Sequence, residues 1–205
     1  DNSFIISSEK DGNNHLYHYD KNGKLIKQIT QGKWEVTEYY GYNPKAKQIY
    51  YQSTEPGSIN RGIYSIALSG KNKKGLATTE GTNEATFSPD FSLFINEYSS
   101  AQKPNFYTLN DSKTGKVVKE ILNNKELEDK IATYNTGKKE FFELTTKNGD
   151  KLNAWMIKPS DFNENKKYPL LMFQYSGPGS QQVHNSFSGF DTFWYYMLAQ
   201  KGYIV

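Results

Sequence analysis

The sequence has no cysteine among its 205 residues, only 7 prolines and no long hydrophobic run. Without cysteine, a disulfide framework and a Cys-ligated zinc site are both excluded. No apolar run approaches the roughly 20 residues that a membrane-spanning helix needs, so we expect no membrane span. Histidine is also scarce, and His15 and His18 would lie on opposite faces of a strand. We therefore expect neither a metal site nor a cofactor.

An excess of charge of one sign is absent as well. The chain has 25 Lys and Arg against 22 Asp and Glu, and its formal net charge is +3. This balance argues against a dedicated nucleic-acid surface. The short basic run Lys71–Lys74 is interpreted as a solvated loop. With 36% hydrophobic and 23% charged residues, the composition is that of a folded chain rather than a disordered one.

Aromatic residues are abundant, with 16 Tyr and 12 Phe, and most lie in alternating stretches typical of β-strands. Tyr17, Tyr64 and Tyr107 hold the same place in successive second strands, 47 and 43 residues apart. Each repeat is predicted to contain a first, a second and, in places, a third and a fourth strand. The predicted strands are 4–7, 49–52 and 93–96 (first), 15–19, 62–66 and 105–109 (second), 25–30 and 117–121 (third), and 36–40 and 84–87 (fourth).

A period in the forties with about four short strands per unit is typical of propeller blades. An ordinary β-sandwich has similar strand spacing. The aligned tyrosines favour the propeller, as do Pro44 and Pro89, which precede successive first strands. Two to three blades cannot close a ring. We therefore expect residues 1–121 to be the last two to three blades of a partial β-propeller, cut from a longer protein.

Residues 122–205 have a different pattern, which predicts the start of an α/β domain. A helix capped by Asn123 or Asn124 and ending near Gly137 would place three apolar side chains on one face. Lys147–Asp150 is a strong hairpin signal between two strands. A short aromatic helix follows later, capped by Asp191 and ended at Gly202. The remaining predicted features are the apolar face Leu127, Ile131 and Tyr134, the strands 141–145 and 152–157, the helix 192–200 and a strand from Tyr203.

One stretch between these elements organises the second part. Residues 169–174 form a near-continuous apolar run, which predicts a strand buried on both faces of a parallel sheet. Tyr175 and a Gly177-Pro178-Gly179 turn follow it. The carboxyl end of a buried parallel strand is where such sheets usually carry their chemistry.

The residues around this turn resemble the dipeptidyl peptidase IV family of serine peptidases, in the prolyl oligopeptidase clan. The resemblance covers nearly the whole chain. Other branches of the prolyl oligopeptidase clan tend to have Tyr-Gly-Gly or His-Gly-Gly at the turn, whereas this chain has Tyr-Ser-Gly-Pro. Gly179 occupies a position that varies among members. The segments that carry the resemblance are 166–171, 174–181, 1–4, 34–36, 105–109, 156–159 and Phe162.

The resemblance implies a propeller joined to an α/β-hydrolase domain, and residues 122–205 would be the N-terminal part of the latter. It implies that the Tyr175 hydroxyl serves in the oxyanion hole and that Gly177, Pro178 and Gly179 hold the tyrosine rigidly. The parent enzyme would release N-terminal Xaa-Pro or Xaa-Ala dipeptides through an acyl-enzyme. It would be a homodimer and an exported, periplasmic or cell-surface bacterial protein.

The catalytic nucleophile that this chemistry needs is absent from the sequence. No serine lies in a Gly-x-Ser-x-Gly elbow. His184 lies too early to be the histidine of a triad in the order Ser, Asp, His. We therefore expect the 205 residues alone to be inactive. The alternatives are a related prolyl tripeptidyl peptidase, a non-catalytic family member that acts as a binding protein, and a generic β-propeller interaction module.

Overall fold

The computed structural model describes residues 2–175, 177 and 179–205. The chain divides into two compact units, and each is described by itself. The first unit contains the residues up to Tyr98 together with Phe106–Asn123. The second contains Ser99–Asn105, which is the tip of a hairpin, together with Asn124–Val205.

The first unit is built from three antiparallel sheets that follow one another along the chain. The sheets have the orders β1-β2-β3, β4-β5-β6-β7 and β8-β9-β10-β11. This confirms a series of short-stranded β-units and is consistent with propeller blades. The strands are β1 (Phe4–Ser8), β2 (His15–Tyr19), β3 (Leu25–Gln28), β4 (Val36–Asn43), β5 (Gln48–Ser53), β6 (Gly62–Ala67), β7 (Lys74–Ala77), β8 (Thr82–Phe87), β9 (Leu93–Ser100), β10 (Lys103–Asp111) and β11 (Val117–Leu122).

The sheets are out of phase with the predicted repeats. The strands predicted as the fourth of each unit, β4 and β8, each begin the next sheet instead. Val36 of β4 is paired with Ser53 of β5, and no described residue of β4 is paired with β3. Strand periodicity is a local property of the sequence, whereas the choice of partner depends on contacts with distant residues. The interpretation of Lys71–Lys74 as a loop is also wrong at its end, because Lys74 begins β7.

The core of the first unit lies on both faces of β5. Ile49 and Tyr51 pack in one cluster with Tyr64, while Tyr50 packs in another with Ile63. Successive side chains of a strand point to opposite faces, so both faces of β5 are covered. Burying each such side chain contributes about 1.5–3 kcal/mol. Of the three repeated tyrosines, Tyr64 belongs to the first cluster and Tyr17 is also buried, whereas Tyr107 is only half-buried.

The second unit begins with a short helix, α1 (Lys125–Ala132), which differs from its prediction. Asn124 is at the N-cap position, but its backbone is left-handed (φ 50°) and its side chain makes no capping bond. The Asn124 amide donates instead to the Asn105 carbonyl oxygen at 2.6 Å. None of the helical residues is buried, so the predicted apolar face remains at least partly exposed. The helix ends five residues before Gly137.

A β-hairpin and a second helix complete this unit. Strands β12 (Lys139–Thr145) and β13 (Lys151–Ile157) pair in register around the predicted turn, confirming the hairpin. Helix α2 (Phe190–Gln200) starts after Gly189 rather than at an Asp191 cap. At its other end, Gly202 has φ 88°, and Tyr203 N–H donates to the Leu198 carbonyl oxygen at 3.1 Å. This is a Schellman ending, which requires a left-handed residue.

The apolar run before Tyr175 is not a strand buried on both faces, which corrects the prediction. Leu170 makes one parallel bridge to Ile204. The backbone bonds are Ile204 N–H to the Pro169 carbonyl oxygen (2.9 Å) and Leu171 N–H to the Ile204 carbonyl oxygen (2.8 Å). The side chains of Leu170 and Met172 are 66% and 78% exposed. The reason is that no described residue covers the two faces of this segment.

Candidate functional site

Tyr175 lies four residues beyond the last backbone bond of the parallel bridge. Its side chain is 63% exposed. The bridge to Ile204 fixes the chain direction up to Leu171, so the tyrosine comes at the carboxyl end of the paired segment. That position agrees with the general location of sites in sheets with parallel strands.

The ring of Tyr175 lies directly against the backbone of Gly177. A Cβ atom added to Gly177 would be 2.6 Å from Tyr175 Cε1 and 3.0 Å from its hydroxyl oxygen. Real Cβ atoms do not approach other atoms this closely, so only glycine allows this position of the ring. The contact is a physical reason for glycine at position 177, in addition to its place in the turn.

A tight turn follows the tyrosine. Ser180 N–H donates to the Gly177 carbonyl oxygen at 3.1 Å, and Gly179 has φ 74°. A residue with a side chain rarely adopts this left-handed backbone, whereas glycine does so without strain. Pro178, the other predicted turn residue, and Ser176 lie outside the described residues.

The loop from Ser180 to Gly189 is held to the rest of the second unit at three points. Trp155 Nε1–H donates to the Gln182 carbonyl oxygen at 3.3 Å. Ala101 N–H donates to Asn185 Oδ1 at 3.0 Å, and Phe187 N–H donates to Ser99 Oγ at 3.3 Å. These contacts fix the loop that joins the tyrosine turn to α2.

An aromatic group lies next to this loop. The ring centroids of Trp155 and Tyr195 are 5.1 Å apart, and those of Phe173 and Tyr195 are 6.3 Å apart. Burial, and to a smaller extent the charge of Asp191, raise the pKa of Tyr195. Lys139 Nζ lies 5.0 Å from the centre of the Trp155 ring, and burial lowers the pKa of this ammonium group. Sequence reasoning missed Trp155, Lys139 and Asn185, because their partners are far away along the chain.

The histidines have structural contacts. His184 Nε2 is 2.7 Å from the Gln181 carbonyl oxygen. His15 is buried, with Nδ1 3.1 Å from Thr30 Oγ1 and Nε2 3.0 Å from the Gly32 carbonyl oxygen. Within the described residues, no group of three or more His, Asp or Glu side chains is placed to hold a metal ion. Neither described helix is long and apolar enough to cross a membrane.

Comparison with known protein families gives a match over the first half of the chain. The family model described as "Dipeptidyl peptidase IV (DPP IV) N-terminal region" matches residues 1–105. Among curated proteins, dipeptidyl peptidase 4 of Arthroderma otae is 33% identical over 192 residues, and that of Trichophyton rubrum is 32% identical over 192 residues. Each alignment covers 92% of this chain but only 24% of the relative. The chain therefore spans about a quarter of the length of these relatives.

Solved structures extend the likeness to almost all of the chain. The crystal structure of Porphyromonas gingivalis dipeptidyl peptidase 4 matches with a TM-score of 0.92 at 40% identity, over 99% of this chain and 28% of that one. A putative dipeptidyl aminopeptidase IV from Bacteroides ovatus matches with a TM-score of 0.84 at 25% identity, over 99% and 31% of the two chains. The fold of both units therefore recurs in proteins of this kind.

Proposed function

The chain belongs to the dipeptidyl peptidase IV family, and from this membership we propose that it is the propeller–hydrolase junction of a serine exopeptidase. Residues 1–121 are assigned to propeller blades and residues 122–205 to the start of an α/β-hydrolase domain. The intact protein removes N-terminal dipeptides that end in proline or alanine. The observation that carries the proposal is the structural likeness to a bacterial dipeptidyl peptidase 4 along nearly the full chain.

The strand arrangement of the second unit supports the hydrolase assignment. Strands β12 and β13 are antiparallel. Ile157 exchanges both backbone hydrogen bonds with Val205, at 2.9 and 3.0 Å. Ile204 in turn bridges Leu170 in parallel, and α2 lies between these two segments in the sequence. A parallel pair joined through a helix is the crossover unit of α/β sheets.

The chemistry assigned to Tyr175 is stabilisation of an oxyanion. When the nucleophilic serine attacks the scissile carbonyl, its oxygen gains a negative charge that the phenol O–H of Tyr175 can meet as a hydrogen-bond donor. Such a donor lowers the barrier because the charge appears only in the transition state. When the intermediate collapses, the rest of the peptide leaves as an amine, and the N-terminal dipeptide stays on the serine as an acyl-enzyme. Water then hydrolyses the acyl-enzyme and releases the dipeptide.

The 205 residues alone are assigned no activity. The sequence holds no Gly-x-Ser-x-Gly elbow. Ser180 gives its backbone N–H to the turn, and the next helix starts only at Phe190. It therefore lacks the strand-to-helix setting of a nucleophile. The nucleophile, and the rest of the triad, must come from other residues of the parent protein.

The decisive experiment is Tyr175→Phe in the parent protein, with Gly-Pro-p-nitroanilide as substrate. Loss of one oxyanion donor should lower kcat about 100- to 1000-fold, the equivalent of about 2.7–4 kcal/mol, while KM changes little. The matched control is Tyr134→Phe, which removes an exposed phenol near α1 and should leave kcat unchanged. An unchanged kcat in Tyr175→Phe would overturn the oxyanion role. Faster release of a tripeptide from Ala-Ala-Pro-p-nitroanilide would favour the tripeptidyl alternative.

A further inference from the structure

The chain on both sides of Tyr175 is connected to one side chain of the hairpin, the indole of Trp155. Beyond the tyrosine, Trp155 Nε1–H donates to the Gln182 carbonyl oxygen at 3.3 Å. Before the tyrosine, the Phe173 ring lies 6.3 Å from the Tyr195 ring, which lies 5.1 Å from the Trp155 ring, measured between centroids. The chain therefore contacts the same aromatic group before and after the tyrosine.

Trp155 is itself anchored in the second unit. It lies on β13 with Ile157, and because the two positions alternate with Met156, their side chains share one face of the strand. The Trp155 ring packs against the buried cluster that contains Ile157 and Tyr196. Lys139 Nζ lies 5.0 Å from the centre of the indole, which is a cation–π distance. The Nε1–H donor is therefore held by the core, while its acceptor belongs to a loop.

A series of contacts leads from the loop back to the tyrosine ring. Gln182 Nε2–H donates to Ser180 Oγ at 3.1 Å, and Ser180 N–H donates to the Gly177 carbonyl oxygen at 3.1 Å. The backbone of Gly177 lies against the Tyr175 ring, since a Cβ atom there would be 2.6 Å from Tyr175 Cε1. Each step from the indole to the ring is therefore a direct contact.

Tyr175 needs a fixed backbone, because 63% of its side chain is open to water. An oxyanion donor must lie within hydrogen-bond distance of the developing charge. A displacement of about 1 Å can lower the rate about 100-fold. Groups that hold the backbone around a catalytic side chain therefore affect kcat without touching the substrate.

We propose that Trp155 is a positioning residue for Tyr175: its indole N–H holds the loop at Gln182, so that the tyrosine hydroxyl meets the oxyanion. The inference rests on the proposed function, in which Tyr175 supplies an oxyanion donor. Because Trp155 acts through Tyr175, its loss has no further effect on kcat once the Tyr175 hydroxyl is gone. A side chain that only stabilised the fold would lower activity with or without that hydroxyl.

The test is a double-mutant cycle in the parent protein, with Gly-Pro-p-nitroanilide as substrate. Trp155→Phe keeps an aromatic ring beside Tyr195 and removes the N–H donor. It should lower kcat about threefold to tenfold, the size expected for one hydrogen bond, with KM nearly unchanged. In the Tyr175→Phe background, the same substitution should change kcat by less than about twofold. The matched control is Trp194→Phe on α2, an exposed position that should keep its kcat.

Hydrogen exchange of the Ser180 amide measures the order of the turn independently of activity. Since this amide donates to the Gly177 carbonyl oxygen, its exchange should accelerate in Trp155→Phe and stay unchanged in Trp194→Phe. Thermal unfolding shows whether Trp155→Phe folds. Where it does not, Ser180→Ala, which removes the acceptor of the Gln182 amide, takes its place in the cycle and should show the same dependence on the Tyr175 hydroxyl.

The outcomes separate this inference from the function on which it rests. If Tyr175→Phe alone leaves kcat unchanged, the oxyanion role itself is wrong. If Tyr175→Phe lowers kcat but Trp155→Phe lowers it equally in both backgrounds, the oxyanion role stands and Trp155 only stabilises the fold. An unchanged kcat in Trp155→Phe, or unchanged exchange at Ser180, would overturn the positioning role alone.

Discussion

At the level of single residues, Tyr175 combines a close contact within its own turn with high exposure. Its ring lies against the backbone of Gly177, yet 63% of its surface is open to water. A donor stabilises developing charge more strongly where water is excluded, because the local dielectric constant is lower. We therefore expect the Tyr175 hydroxyl to act fully only when other residues of the parent enzyme cover it.

The contact between Gly177 and Tyr175 leads to a prediction about rate without loss of stability. In Gly177→Ala of the parent protein, the new methyl group must displace the Tyr175 ring, since it would be 2.6 Å from Cε1. Misplacing a catalytic group by about 1 Å can lower the rate about 100-fold. We expect a fall of that size in kcat for Gly-Pro-p-nitroanilide, with KM and the melting temperature nearly unchanged.

Gly149→Ala, in the turn between β12 and β13, is the matched control for this substitution. Nothing lies within 4 Å of an added Cβ atom at Gly149, but its φ of 88° is strained for alanine. This variant should lose about 1–2 kcal/mol of stability while keeping its kcat. If the two variants lose kcat equally, the ring contact at Gly177 has no special role.

Asp90 provides a residue-level prediction about pH. Hydrogen bonds from the Ser88 hydroxyl, and then from the Ser92 N–H and hydroxyl, lower the pKa of Asp90 to about 2. Since the folded pKa is below the unfolded value, these bonds stabilise the turn above about pH 4. Their contribution is lost as the pH falls through 2. Carboxyl NMR titration should give a midpoint near 2, and a midpoint near 4 would contradict the assigned bonds.

At the level of elements, local signals predicted strands and turns better than partners. The β12–β13 hairpin was predictable because Asn148-Gly149 favours a tight turn whatever lies elsewhere. The pairing of β4 with β5 was not, since it depends on distant contacts. The prediction for the apolar run before Tyr175 failed for the same reason. Its composition favours a buried strand, but burial depends on distant residues that cover it, and its faces are exposed among the described residues. Helix α1 formed without burying any residue, which its amphipathic pattern does not predict.

The site shows the same division between local and distant information. Tyr175 and its glycines could be proposed because they are adjacent in the sequence and their short motif resembles that of the dipeptidyl peptidase IV family. Asn185 could not, because its partner Ala101 is 84 positions away. A cavity lined by residues of the sheets β4–β7 and β8–β11, among them Tyr50 and Ser112, was equally hidden, because its residues are far apart along the chain. Motifs reveal residues that act next to one another, whereas sites assembled by folding need coordinates.

The attachment of the loop to the hairpin tip is a testable property of these elements. Asn185→Ala removes the acceptor of the buried Ala101 N–H. Leaving a buried donor unsatisfied is unfavourable by about 1–3 kcal/mol. We expect the melting temperature to fall and hydrogen exchange of the Ala101 amide to accelerate. Asn165→Ala, at an exposed position, should change stability by less than about 0.5 kcal/mol. Unchanged exchange at Ala101 would show that the loop is held by other contacts.

At the level of the whole molecule, strand β11 gives the chain an exposed apolar edge. It is the last strand of its sheet, and every one of its residues is exposed. Val117 and Val118 are each 59% exposed, although they point to opposite faces. An unpaired edge with apolar residues on both faces can template pairing with another chain.

We therefore expect the 205-residue chain to associate as its concentration rises. Sedimentation velocity across a concentration series should show growing species, and Val118→Lys should suppress them, because a charged residue on an edge opposes strand pairing. Asn148→Lys adds the same charge at the β12–β13 turn and serves as the matched control, in which association should persist. A chain that stays monomeric at all concentrations would contradict the expectation. Equal suppression by both variants would instead assign the effect to net charge, so the two substitutions together identify β11 as the surface responsible.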